Sequence, residues 1–278
     1  MRTKELHNFG NIYVLSGDEI EKYESLRELF EEEENFILSL KNNYSLEARE
    51  DLLILFVQMY LLRFAIPYFQ FTNNKFPDRT NVNFLKRVLY FCLTGRFVDD
   101  LVDKDSKMFQ TYESILLFQK YYPRLAGLLS ENESEREKFD AYLFDSTKYK
   151  SPCKDKRIDF SDISDDVYAR IKYFFCEAEN YSAKKQELLK SYMGILLGRL
   201  DVNDLIADGY LKSSSTVISN YVYHKYFNDE GKLLLDSALL NFYDFAKSLF
   251  EKESRRLIEY CNKNQLFYTA NILKRIKR

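Results

Sequence analysis

The sequence predicts an all-α fold, on three observations. No stretch alternates apolar and polar residues for long enough to form a strand, whereas several repeat apolar residues at helical spacing. Glycine and proline are scarce, 8 and 4 in 278 residues, which leaves few tight turns. Charged residues make up 30% of the chain, and with that scarcity they suit long helices.

Each element follows from a local signal. Ser16-Gly17-Asp18 opens a helix to about residue 40, with Leu26, Phe30, Phe36, Ile37 and Leu40 at helical spacing. Ser45, with acids at Glu47 and Glu50, caps a helix to about residue 72, kinked at Pro67. A turn over 73–80 carries Lys75 and Arg79, and a helix over 81–104 follows. A helix over 108–129 is succeeded by Ser130-Glu131-Asn132-Glu133, a capping box into a weaker helix. Residues 148–162 read as the longest loop, and 164–180 as a helix whose Asp165-Asp166 pair suits its N-terminal dipole. A long helix is expected over 182–212, ended by Ser213-Ser214-Ser215. Two more are expected over 216–226 and 231–263, and the basic end, 271–278, reads as a solvated tail.

Composition narrows the function. No Pro-, Gly- or Ser-rich linker and no repeat divides the chain, so one domain over 1–278 is expected. The balance of 41 basic against 43 acidic residues, net -2, gives no nucleic-acid footprint. The start, Met1-Arg2-Thr3-Lys4-Glu5-Leu6-His7, shows no apolar signal segment. The most apolar stretch, 52–69, is broken by Gln58, Arg63 and Pro67 and reads as a buried helix, with no stable membrane span. Cys92, Cys153, Cys176 and Cys261 lack metal spacing and read as reduced thiols in a cytoplasmic protein. Only His7 and His224 are present, too few for a histidine-based zinc site or triad. Nothing in the sequence fixes an oligomeric state, and a homodimer remains open. Aromatics are abundant, 22 Tyr and 23 Phe with no Trp, and most are expected in the core.

Two acid sets carry the chemistry. Phe97-Val98-Asp99-Asp100-Leu101-Val102-Asp103 closes an apolar helical run. Asp99 and Asp103 stack on one helix face, with Asp100 about 100° round. A helix C-terminus disfavours anions by roughly 0.3–1 kcal/mol each, so three acids there call for a cation, and oxygen-only ligands suit Mg²⁺. Asn203-Asp204-Leu205-Ile206-Ala207-Asp208 repeats the pattern, with Asp204 and Asp208 again four residues apart. If both sets face one cavity mouth, Mg²⁺ ions fit between them. Gly194 and Gly198 thin one face of the second helix, for a partner helix or a ligand. The alternative is a non-enzymatic helical scaffold whose acids are a solvated face.

This pairing resembles the class I isoprenoid (terpenoid) synthase superfamily, with Asp99-Asp100-Leu101-Val102-Asp103 as the first aspartate-rich motif and Asn203-Asp204 through Asp208 as the second. The resemblance implies a single antiparallel helical bundle and Mg²⁺, three ions when diphosphate is bound, held by Asp99, Asp100, Asp103, Asn203, Asp204 and Asp208. It implies ionisation of an allylic prenyl diphosphate, with Asp99, Asp204 and Arg199 in catalytic roles. Arg96 and Arg199 each precede an acid set by about one turn and are the expected diphosphate donors, with Arg157 and Arg170 as further candidates. Thr94, Gly95 and Phe91, just before the acids, would line the hydrocarbon cavity. Their small size at 94–95 implies a C15 or longer chain.

The second motif departs from the cyclase pattern, with Ala207 for its serine and Leu211 for its glutamate, while Asp204 and Asp208 fit the Asp-x-x-x-Asp form. Lys104-Asp105-Ser106-Lys107-Met108 stands where chain-elongating synthases carry paired arginines. That favours a cyclase acting on one diphosphate over a prenyl diphosphate synthase condensing two.

Overall fold

The computed structural model describes residues 16–44, 60–102, 111–129, 137, 159–171, 181–208 and 238–276. For 37–38, 40–44, 96–102, 111–114, 169–171, 200, 203–208 and 238–243 that description covers the backbone alone. The described residues are 91% helical and hold no strand, as the periodicity predicts. Contacts divide them into two compact units, the first holding the helices up to residue 129 and the second those from 160 onward.

In the first unit, α1 (Gly17–Leu26) starts where its cap predicts. Ser16 Oγ accepts from the Glu19 N–H at 3.2 Å, and Glu19 Oε2 accepts from the Ser16 N–H at 2.9 Å, a complete capping box. The single helix expected to residue 40 is instead two. A 3₁₀ turn, Arg27–Leu29, separates α1 from α2 (Glu31–Tyr44). The physical reason lies in Glu31-Glu32-Glu33-Glu34: four adjacent acids repel inside a helix but meet the positive dipole end when a new helix starts there.

Residues 60–65 wind as a π-helix and pass into α3 (Ile66–Asn73). Pro67 sits in the first turn of α3, where its missing N–H costs nothing, so the expected kink takes the form of a change in winding just ahead of it. This segment is buried, Arg63 included, as the apolar stretch predicts. Asn74 ends α3 with φ 54° and ψ 27°, a left-handed conformation that asparagine tolerates. Then α4 (Val82–Val102) and α5 (Thr111–Leu129) pack against one another, close to the expected 81–104 and 108–129.

Charged groups stitch this unit internally. Arg63 Nε donates to Glu19 Oε1 at 2.9 Å with both side chains only 2% exposed, tying α1 to the segment before α3. On α2, Glu33 is fully buried, accepting from the Tyr90 hydroxyl and pairing with Lys86 Nζ at 3.3 Å. Glu34 accepts from the Tyr23 hydroxyl and from Arg27 Nε, and Glu32 from Arg124 on α5.

In the second unit, α6 (Phe160–Ile171) begins four residues earlier than expected. Its cap is Asp159, whose Oδ1 accepts from the Asp162 N–H at 3.1 Å while its own N–H donates to Asp162 Oδ2 at 2.9 Å. Asp165 and Asp166 therefore do not cap it. Asp165 instead pairs with Lys190 at 3.0 Å, and Asp166 is buried. α7 (Ala183–Asp208) and α8 (Ala238–Lys263) lie within the predicted 182–212 and 231–263. The helix expected over 216–226 lies outside the described residues, and of the one expected after Ser130 only Glu137 is described, as helical and exposed.

The C-terminal end corrects the sequence reading: it is helix α9 (Phe267–Ile276), packed on α8. Gln265 at φ 60° and the Leu266 N–H bond to the Cys261 carbonyl, 2.8 Å, make a Schellman-type reversal after α8. Thr269, Ala270, Ile272, Leu273 and Ile276 are buried, whereas Lys274 faces solvent. The apolar spacing Leu266, Ala270, Leu273, Ile276 encodes this face.

Candidate functional site

Each acid set follows a run of buried residues on its own helix. On α4, every residue from Val88 to Thr94 is buried, and on α7 every residue from Ser191 to Leu196. A helix enclosed on all sides cannot place carboxylates at mid-length, because an unpaired buried charge costs several kcal/mol. Asp99 and Asp100 follow the buried run on α4, among its last described residues up to Val102, and Asn203, Asp204 and Asp208 follow the one on α7, among its last described residues up to Asp208. The two sets belong to different units.

Among the expected site residues, Asp99, Asp100 and Arg96 are placed by backbone on α4, Asn203, Asp204 and Asp208 on α7, and Arg170 on α6. Asp103 and Arg157 lie outside the described residues. Phe91 and Thr94 are buried on α4, at 1% and 0% exposure, and Gly95 is half-buried. The donor chemistry of both sets fits Mg²⁺: carboxylate and amide oxygens alone. Among the residues with described side chains, no group of three or more His, Cys, Asp or Glu gathers to hold a metal ion.

Gly194 and Gly198 resolve the choice left open between a ligand and a partner helix. A Cβ on Gly194 would stand 2.8 Å from Ser164 Cβ and 3.0 Å from Ser164 Cα. One on Gly198 would stand 2.7 Å from Ile163 Cγ2 and 3.1 Å from Phe250 Cε1. The thinned face receives α6 and α8.

Arg199, next to Gly198, is 1% exposed. Its Nη1 donates to the backbone carbonyl of Ile276 at the end of α9, and its guanidinium carbon lies 5.6 Å from the Phe250 ring centroid. Lifting α9 from it would re-expose Ile272, Leu273 and Ile276, at about 1.5–3 kcal/mol for each side chain. That outweighs the about 1.5–3 kcal/mol of a single charged hydrogen bond.

Two features escaped the sequence reading. A groove of about 700 Å³ opens among α6, α7 and α8, at the end of α7 away from its acids. Arg256 bridges it to Glu187 at 2.8 Å and to Ser191 at 2.9 Å, and Lys190 to Asp165 at 3.0 Å. The other is the buried Glu33–Tyr90 pair, whose partners stand 57 residues apart, so no local signal marks it. Burial pushes the Tyr90 hydroxyl well above the usual tyrosine range, with Glu33 adding to the shift and Arg124 opposing it.

Comparison adds no relative. No protein-family model matches the chain, and no curated protein and no solved structure matches it.

Proposed function

We propose that the protein is a class I isoprenoid enzyme of the cyclase type, which ionises an allylic prenyl diphosphate of C15 or longer and quenches the cation to a terpene. The observation that carries this reading is the matched pair of helices, α4 and α7, on each of which a buried run leads into one of the two acid sets of the sequence. The family fold, the substrate and the Mg²⁺ are parts of the same proposal.

In this reading Asp99, Asp100 and Asp103 on one helix, and Asn203, Asp204 and Asp208 on the other, hold the Mg²⁺. Bound Mg²⁺ supplies neutralisation of the charge that develops on departing diphosphate. Arg96 donates to the diphosphate oxygens, with Arg157 and Arg170 as further donors, a role that suits the bidentate guanidinium fork. The chain's remaining work is to keep water out and to face the cation with aromatic rings. Tyr90 and Phe91, 4% and 1% exposed, lie on the right helix for that, and each ring stabilises a nearby cation by about 0.5–2 kcal/mol.

The test is incubation with geranyl, farnesyl and geranylgeranyl diphosphates, singly and with isopentenyl diphosphate. The expected result is free pyrophosphate plus an extractable hydrocarbon or alcohol from one substrate alone. Asp99→Ala and Asp204→Ala should each abolish pyrophosphate release while leaving helical content intact by circular dichroism. A longer diphosphate made only in the presence of isopentenyl diphosphate would instead make the protein a condensing enzyme. No Mg²⁺-dependent thermal stabilisation by pyrophosphate, and no turnover, would leave a scaffold.

A further inference from the structure

We infer that Arg199 clamps the C-terminal helix α9 onto the acid-bearing helix α7, and that it positions the turn carrying Asn203, Asp204 and Asp208 instead of contacting diphosphate itself. Three helices meet at this one side chain: it leaves α7, lies over Phe250 of α8 and donates to the Ile276 carbonyl of α9. That carbonyl belongs to the last turn of α9, where backbone acceptors have no partner within the helix and the dipole is negative. A guanidinium is therefore its natural cap, and the chain's own C-terminal helix already fills the place of an anion. Gly198 leaves the space that lets Phe250 approach, so Gly198-Arg199 works as a unit.

The connection to the acids is short. Arg199 and Val202 are the last buried side chains described on α7 before Asn203, and both are almost fully enclosed, at 1% and 0% exposure. Loosening the clamp removes the last buried anchor described on α7 ahead of Asn203, so the backbone that follows opens more readily. The clamp stands on geometry alone; its positioning role for Mg²⁺ ligands rests on the isoprenoid reading above.

The test is amide hydrogen exchange on the full chain, with Mg²⁺-pyrophosphate titration in parallel. Arg199→Met should speed exchange across 270–276 and 203–208 by about tenfold or more, leaving α4 and α5 unchanged. Arg199→Lys, which restores one donor, should recover most of the protection. Leu273→Ala, which weakens α9 docking without touching Arg199, should speed exchange at 203–208 in the same way, and it stands in if Arg199→Met does not fold. Wild-type protection of α9 in Arg199→Met overturns the clamp, most plainly if pyrophosphate affinity falls. Loss of α9 protection with 203–208 unmoved overturns the positioning role. A wild type that binds no pyrophosphate sinks the isoprenoid reading and leaves the exchange test of the clamp standing.

Discussion

Single glycines show how little room the second unit leaves. Gly194 faces the Cα of Ser164, a backbone atom that cannot swing aside, so Gly194→Ala overpacks the α6–α7 contact. Overpacking costs about 1–3 kcal/mol, against about 1 kcal/mol gained from better helix propensity. The expected outcome is a net loss of up to about 2 kcal/mol in urea denaturation. Gly127 is the control: it is exposed on α5, and a Cβ there meets nothing within 4 Å. Gly127→Ala should stabilise by about 0.5–1 kcal/mol. A Gly194→Ala protein as stable as Gly127→Ala would mean the helices can separate there. The sequence marked Gly194 and Gly198 as thin, but what fills the space was decided by Ser164, Ile163 and Phe250, which no local pattern connects to them.

At the scale of an element, α2 shows why acid runs are hard to read. Glu31 to Glu34 follow one another around the helix and so cannot share one face; Glu33 and Glu34 are buried, where Tyr90 and Tyr23 donate to them. Glu33 Oε2 has no partner, so Tyr90→Phe would leave the carboxylate with Lys86 alone and should cost about 1–3 kcal/mol. Burial also raises the Glu34 carboxyl above its ordinary value. Its contribution to stability is thus fully present below the unfolded-state value and is lost as pH rises through the raised folded value. Glu34→Gln has no such charge to bury, so its stability should decline less than wild type over that window, measured by urea titration at stepped pH. Parallel pH profiles would show that Arg27 already offsets the burial. On the proposed isoprenoid reading, α4 carries the hydrocarbon side of the site. If the hydrocarbon runs along it from the acids, half-buried Gly95 sets the depth, and Gly95→Phe should shift preference to a shorter prenyl diphosphate. An unchanged preference places the tail elsewhere.

For the whole molecule, the proposed isoprenoid reading must supply its Mg²⁺ ligands with Ala207 and Leu211 where cyclases carry serine and glutamate. Asp208 is the available replacement, so Asp208→Asn should raise the Mg²⁺ concentration needed for pyrophosphate-dependent stabilisation, while Asp201→Asn, one turn before the motif, should not. Equal Mg²⁺ requirements in Asp208→Asn and wild type would remove Asp208 from the ligand set. The sequence by itself determined the helical class, the starts of α4 and α7 and the end of α8. These are local properties: apolar periodicity, breakers and dipole chemistry act within a few turns. Only the tertiary structure decided that the basic C-terminal end folds back as α9, that Arg199 is enclosed beneath it, and that Glu33 is a core residue. Each of those outcomes depends on a partner many residues distant, 77 for Arg199 and Ile276 and 57 for Glu33 and Tyr90. Burial of an ionisable group is set by whether such a partner arrives to meet its hydrogen bonds, and that is a property of packing that no stretch of sequence carries alone.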